Sequence, residues 1–229
     1  MPRPGPCRHG GSSGPTDGLF EVDELVVPGA PGDPDVTLVS ARPAGVAGPL
    51  PALYYLHGGG MIMGNARSVV PQVLRAWALP LELAVVSVEY RLAPHTRYPG
   101  PVEDCYAGLV RVAEHAPELG IDADRVVIGG KSAGGGLAAA PARATDLSGL
   151  PPAYIEVGSA ETFRDEAVAY ANAIWQAGGQ AELHVWPGAF PHGFDTFAPR
   201  AALSRDARAA RSAWLGRVLA RSGAGPADC

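Results

Sequence analysis

The rhythm of apolar and polar positions changes once along this chain. In FEVDELVVPG and DVTLVSARP the two kinds of residue alternate, and the intervening GAPGDPD is rich in turn formers. That pattern predicts an antiparallel hairpin. From Pro51 onward alternation gives way to short apolar runs: ALYYLH, LAVVSVEY, RVVIGG, AYIEVGS and AELHVW. The segments between them carry helical spacing. In VEDCYAGLVRVAEHA one face gathers Val102, Cys105, Tyr106, Leu109 and Val112 or Ala113. In FRDEAVAYANAIWQAGG it gathers Ala167, Ala171, Ile174 and Trp175, with Gly178 as the stop. A last helix, near 199–221, repeats the pattern through Leu203, Ala207, Ala210, Trp214 and Val218. Buried strands alternating with amphipathic helices define the α/β class, with a mostly parallel sheet covered by helices on both faces. Ligands of such sheets bind at the carboxyl ends of the strands.

Composition narrows this picture modestly. At 229 residues, 47% hydrophobic and 18% charged, the chain suits one globular domain over 19–229. Residues 1–18, rich in Pro, Gly and Ser, read as a disordered lead-in, with no apolar stretch of a secretion signal. No apolar run approaches the ~18 residues that cross a bilayer. A formal net charge of −5 argues against nucleic-acid or anionic-membrane partners. Cys7, Cys105 and Cys229 have no metal-like spacing, so neither a disulfide framework nor a zinc site is expected, and a cytoplasmic setting is the default.

The chemistry concentrates in two glycine-rich joins. VVIGGKSAGGG closes an apolar run with one serine among glycines, and Gly130-Lys131-Ser132-Ala133-Gly134 fits G-x-S-x-G. A serine in so sharp a strand-to-helix turn adopts a strained backbone, and its neighbours two places away must be small. The strain holds the hydroxyl up at the top of the sheet. The helix that follows adds its positive dipole end and free N–H groups. Earlier, YYLHGGGMIMGN places His57-Gly58-Gly59-Gly60 just beyond a strand. Bare glycine backbone can approach a substrate and aim N–H groups at a developing oxyanion.

These segments, with YRLAP, YPGPVEDCYAGL and PHGFD, resemble the α/β-hydrolases of the hormone-sensitive-lipase-like esterase group, over about 21–221. The resemblance implies a serine nucleophile, an acid and a histidine in that chain order. Ser132 matches the nucleophile and His192 the histidine, in preference to His184, which lies within a strand. VGSAETFRDEA offers Glu161, Asp165 and Glu166 as acids. The family motif selects Glu161, while Thr162 and Asp165 resemble a helix cap and Asp165 and Glu166 suit a helix start. The implied oxyanion hole is the N–H groups of Gly59, Gly60 and Ala133. His57, Gly58, Gly130 and Gly134 shape the two loops. The family needs no metal or organic cofactor, takes small-molecule esters, and often pairs as a homodimer through an edge strand near the carboxyl end.

Three departures mark this chain. Lys131, the lone lysine, precedes the nucleophile where the family usually has an acid, and a solvated side chain on a turn is its plainer reading. Pro191 separates Phe190 from His192, one stiff residue more than the usual Phe-His-Gly-Phe. Only 29 residues lead from Ser132 to Glu161, so a strand-helix unit and part of the lid are missing. Pro141 should end the nucleophile helix early, and 145–150 lead into the acid-bearing strand. That strand then either slides one place, ~4.8 Å, or leaves a sheet edge unpaired. With the lid reduced, the pocket should be open and suited to short acyl chains. The sequence therefore predicts a serine carboxylesterase. The alternatives are a catalytically impaired or non-catalytic remnant and, less supported, a peptidase or amidase.

Overall fold

A computed structural model describes residues 7–9, 18–139, 147, 150–189 and 191–221. Most of the lead-in, together with Pro141, Phe190 and four of the six residues 145–150, lies outside the described residues. The chain divides into two compact units, one reaching to Pro141 and the other beginning at Ala142.

The first unit is built on six strands: β1 (Cys7–His9), β2 (Phe20–Val27), β3 (Val36–Pro43), β4 (Leu50–Leu56), β5 (Ala84–Glu89) and β6 (Ile121–Gly130). Their order in the sheet is β1-β2-β3-β5-β4-β6. β2 and β3 form the expected antiparallel hairpin, with Leu25 opposite Leu38. β5, β4 and β6 run parallel, Tyr54 lying beside Val86 on one side and Ile128 on the other. One expectation is corrected at the amino end. Cys7–His9, placed in the disordered lead-in, pair antiparallel with Glu24–Val26. Short polar residues in the sequence gave no period-2 signal there.

All seven residues of β4 are buried, which requires cover on both faces. On one face Ala52, Tyr54, Val86 and Val88 join Cys105 and Val112 of α3 (Gly100–Glu114) and Leu137 of α5 (Ala133–Ala139) in a single core. Tyr54 donates to the carbonyl of Cys105 at 2.9 Å, so its hydroxyl is paired within that core. On the other face lie α1 (Ala66–Val73) and the wider turns Leu74–Ala78 that continue it, where Trp77 meets the ring of Tyr55 at 6.0 Å. Asn65 caps α1 by accepting from the Ser68 N–H. Two short turns, α2 (Leu79–Leu81) and α4 (Ala116–Leu119), return the chain to β5 and β6. The face predicted for α3 holds at Cys105 and Val112 but not at Tyr106, which is 59% exposed.

The second unit has two parallel strands, β7 (Ala153–Gly158) and β8 (Ala181–Trp186), joined by α6 (Arg164–Gln176). It ends with α7 (Phe194–Phe197) and α8 (Ala202–Arg221). Ala171 and Ile174 of α6 are buried, as the spacing predicts, but Trp175 is exposed and donates to the Ala181 carbonyl instead. Gly178 does stop α6, at φ 79°. On α8 only Ala207 of the expected face is fully buried, alongside Ser204, Leu215 and Leu219. The apolar rhythm placed this face about one position off. Among the described residues, β6 lies at one edge of the six-stranded sheet, and β7 and β8 form a two-stranded sheet of their own. No helix among them is long and apolar enough to cross a membrane.

Candidate active site

Ser132 sits where β6 gives way to α5, with φ 57°. A non-glycine residue adopts that left-handed conformation only where its surroundings enforce it. The enforcement is visible at the flanking glycines. A Cβ on Gly130 would lie 2.3 Å from the backbone of Gly134, and one on Gly134 would lie 2.0 Å from the Leu56 carbonyl oxygen. Both positions therefore exclude every larger residue, and the turn stays tight enough to present an exposed Ser132. Ala133, the first residue of α5, follows it, with Gly134 N–H donating back to the Lys131 carbonyl at 3.0 Å.

The glycine loop packs on this turn. A Cβ on Gly58 would come within 2.9 Å of the Lys131 oxygen and 3.4 Å of the Ser132 Cβ. Gly59 and Gly60 have φ of 126° and 63°, and a Cβ on Gly59 would lie 1.9 Å from the Met63 oxygen. The Gly59 carbonyl accepts from the N–H groups of Ile62 and Met63. Among the described residues the N–H groups of Gly59 and Gly60 donate to nothing within the protein, as an oxyanion hole requires.

His57 is buried beneath the loop. Its Nδ1 bonds to the Gly58 carbonyl at 2.8 Å and its ring stacks on Tyr90 at 4.1 Å. The Tyr90 hydroxyl donates to the His57 carbonyl at 2.7 Å. Burial pushes the Tyr90 phenol above its ordinary range, so it keeps the proton that it donates. His57 thus shapes the loop. Tyr90 was quoted within YRLAP, but nothing in the sequence signalled its grip on the histidine.

In the second unit Glu161 and His192 are brought together. Glu161 Oε2 is hydrogen-bonded to His192 Nδ1 in a short contact, and Glu161 Oε1 accepts from the Gly158 N–H at 2.9 Å. The acid thus leaves β7 and turns back onto the strand end. Only 7% of its side chain is exposed, which suits a carboxylate held for one partner. The Phe163 ring meets the imidazole edge-on at 4.9 Å. His192 Nε2 is buried with no hydrogen-bond partner among the described residues, and it is the nitrogen through which a general base would act.

The competing acids are disposed of by their own partners. Asp165 pairs with Arg164, and that hydrogen bond holds its carboxyl below the usual range. Both Asp165 and Glu166 stand in the first turn of α6, where the helix dipole favours them. The expected Thr162 cap is corrected: α6 is capped at Phe163 with no side-chain hydrogen bond. His184 belongs to β8 and bonds to Glu182 at 3.0 Å. Gly158 went unnoticed in the sequence, yet a Cβ there would lie 2.3 Å from the Ala189 oxygen, so this glycine lets the chain leading to His192 press on the strand end. Among the described residues no group of three His, Cys, Asp or Glu side chains is placed to hold a metal ion.

Comparison with known proteins agrees with this geometry. A family model for the alpha/beta hydrolase fold matches residues 53–145 and 138–196. Esterase LipI of Mycobacterium tuberculosis is 27% identical over 73% of this chain and 79% of its own. An acetyl esterase of Salmonella paratyphi B is 36% identical over 51% of this chain and 35% of its own. Among solved structures, a bacterial heroin esterase superposes with a TM-score of 0.82 at 34% identity, covering 88% of this chain and 85% of that one. Family match, structural likeness and the strained serine between two glycines that leave no room for a Cβ lead to one conclusion: this chain belongs to the α/β-hydrolase fold family.

Proposed function

We propose that this protein hydrolyses carboxylic esters with short acyl chains. Ser132 attacks the carbonyl, His192 receives its proton through Nε2, and Glu161 fixes the imidazole tautomer and stabilises the imidazolium. The N–H groups of Gly59, Gly60 and Ala133 take the oxyanion, each such donor being worth about 3–4 kcal/mol in the transition state. Water then releases the acid from the acyl-enzyme. The observation that carries this reading is Ser132 at φ 57°, held there by Gly130 and Gly134. Strain of that kind persists where function uses it. The names of the relatives, an acetyl esterase among them, support both the bond and the short acyl group.

The test is reaction with a fluorophosphonate probe together with hydrolysis of acetyl and decanoyl esters of one chromogenic alcohol. Labelling of the wild type but not of Ser132→Ala, with faster acetyl than decanoyl turnover, is the expected result. A second reading, a non-catalytic member of the same fold, is favoured by the short interval of 29 residues from Ser132 to Glu161. A protein that melts cooperatively and never labels would establish that second reading.

A further inference from the structure

One face of α8 is polar and lies about one position round the helix from the apolar face the sequence pattern called for. Ser204, Arg208 and Arg211 stand at the i, i+4, i+7 spacing of a single helix face. All three bind the segment that follows His192. The Ser204 hydroxyl donates to the Phe194 carbonyl at 3.5 Å. Arg208 donates to the carbonyls of Asp195 at 3.1 Å and Pro199 at 2.6 Å. Arg211 donates to the Asp195 carboxylate at 3.0 Å and, in a short contact, to Glu156.

Glu156 belongs to β7, five residues before the acid Glu161, and Asp195 lies three residues after His192. Arg211 is therefore a bridge between the strand that carries the acid and the turn that carries the base. Glu156 is further fixed by the Tyr154 hydroxyl at 3.1 Å and the Trp186 indole at 3.4 Å. The carboxylates of Glu156 and Asp195 are 19% and 9% exposed, and Arg211 is 21% exposed, so the pairing is shielded from water and salt. The need for such a bridge is local. Gly193 has φ 78°, and α7 is only four residues long, so the turn has little regular structure of its own to hold it.

We propose that Arg211 is a positioning residue for catalysis, setting the spacing of His192 and Glu161 by clamping Asp195 to Glu156. The proposal rests on the esterase reading, and its test separates the two. Arg211→Lys keeps the charge but puts a shorter ammonium in place of the guanidinium whose Nη2 touches both carboxylates. Asp195→Asn keeps the shape and weakens one arm. Arg217→Met, which breaks an exposed pair with Glu182 on the same helix, is the control.

Two quantities are read for each: the kcat and KM for acetyl ester hydrolysis, and the downfield proton resonance of the His192 Nδ1–H bonded to Glu161, assigned by its loss in Glu161→Gln. A misplacement of the base by about 1 Å costs on the order of 10²-fold in rate. The expected result is a fall of that order in kcat with KM nearly unchanged, and loss of the resonance, in both Arg211→Lys and Asp195→Asn, while Arg217→Met behaves as wild type and all three melt cooperatively. Wild-type kcat and an unaltered resonance in Arg211→Lys would overturn the proposal. Should the wild type itself show no turnover, the esterase reading falls, and the resonance alone still decides whether Arg211 holds the pair: loss supports the clamp, persistence refutes it.

Discussion

The two compact units hold their functional residues by different physics. In the first, backbone does the holding. Gly58, Gly59, Gly130 and Gly134 approach neighbouring main chain so closely that a single Cβ would collide, and β4 beneath them is buried at every position. In the second, charge does it. β7 and β8 are half-buried along most of their length, and the His192 turn is secured by Glu161, Arg208 and Arg211 through side-chain hydrogen bonds. A site held by backbone tolerates no substitution at its contacts but is indifferent to pH and salt. A site held by ionic side chains admits conservative replacement of a partner and answers to the charge of each.

The contrast can be broken most severely at Gly134. In Gly134→Ala the new Cβ points at the Leu56 oxygen from 2.0 Å, and main chain on both sides leaves it nowhere to go. No cooperative melt is expected, and a calorimetric profile like the wild type would remove the steric argument for the first unit. Next comes Glu161→Gln, which keeps shape and loses charge. By analogy with amide replacement of a triad carboxylate, kcat should fall about 10⁴-fold while the melting temperature changes little. A loss below tenfold in steady-state assays would mean that charge is not what Glu161 supplies. Tyr90→Phe is milder, since it removes the donor to the His57 carbonyl within a buried contact. A loss of about 1–3 kcal/mol is expected in urea titration. The smallest effect lies at Asp33, whose carboxyl is held below its usual range by the Arg91 hydrogen bond. A depressed carboxylate stabilises the fold above its unfolded pKa, and the contribution fades as pH falls through the lowered folded value. Asp33→Asn should therefore lower stability slightly at neutral pH and leave it nearly unchanged at the acid end, which flattens the acid limb of the stability curve.

The same contrast explains what could be read in advance. Ser132, Gly130, Gly134 and the glycine loop announced themselves because steric demands leave a narrow choice of residue, and narrow choice is visible in one sequence. The β2–β3 hairpin and the apolar runs from β4 to β8 were equally plain. Glu161 and His192 were reached through family resemblance, and their contact is seen only in three dimensions. Arg211 was missed altogether, although Ser204, Arg208 and Arg211 share one helix face. Apolar periodicity was the signal followed on α8, and it passed over a face whose burial is polar. Tyr106 and Trp175 show the converse error, large rings counted as core that stand exposed. The cap expected at Thr162 failed because α6 starts one place later, with Phe163 in the cap position and no side-chain hydrogen bond there.

The left-handed backbone at Ser132 sets durability against turnover at one position. Glycine would occupy φ 57° with no steric strain and an entropic cost of about 0.5–1 kcal/mol, whereas serine there carries an opposing term of about 1–3 kcal/mol. Ser132→Gly should thus yield a protein that survives hotter solution and performs no chemistry. A selection for heat resistance alone would drift toward that glycine, so any effort to harden this enzyme must screen for product at every round.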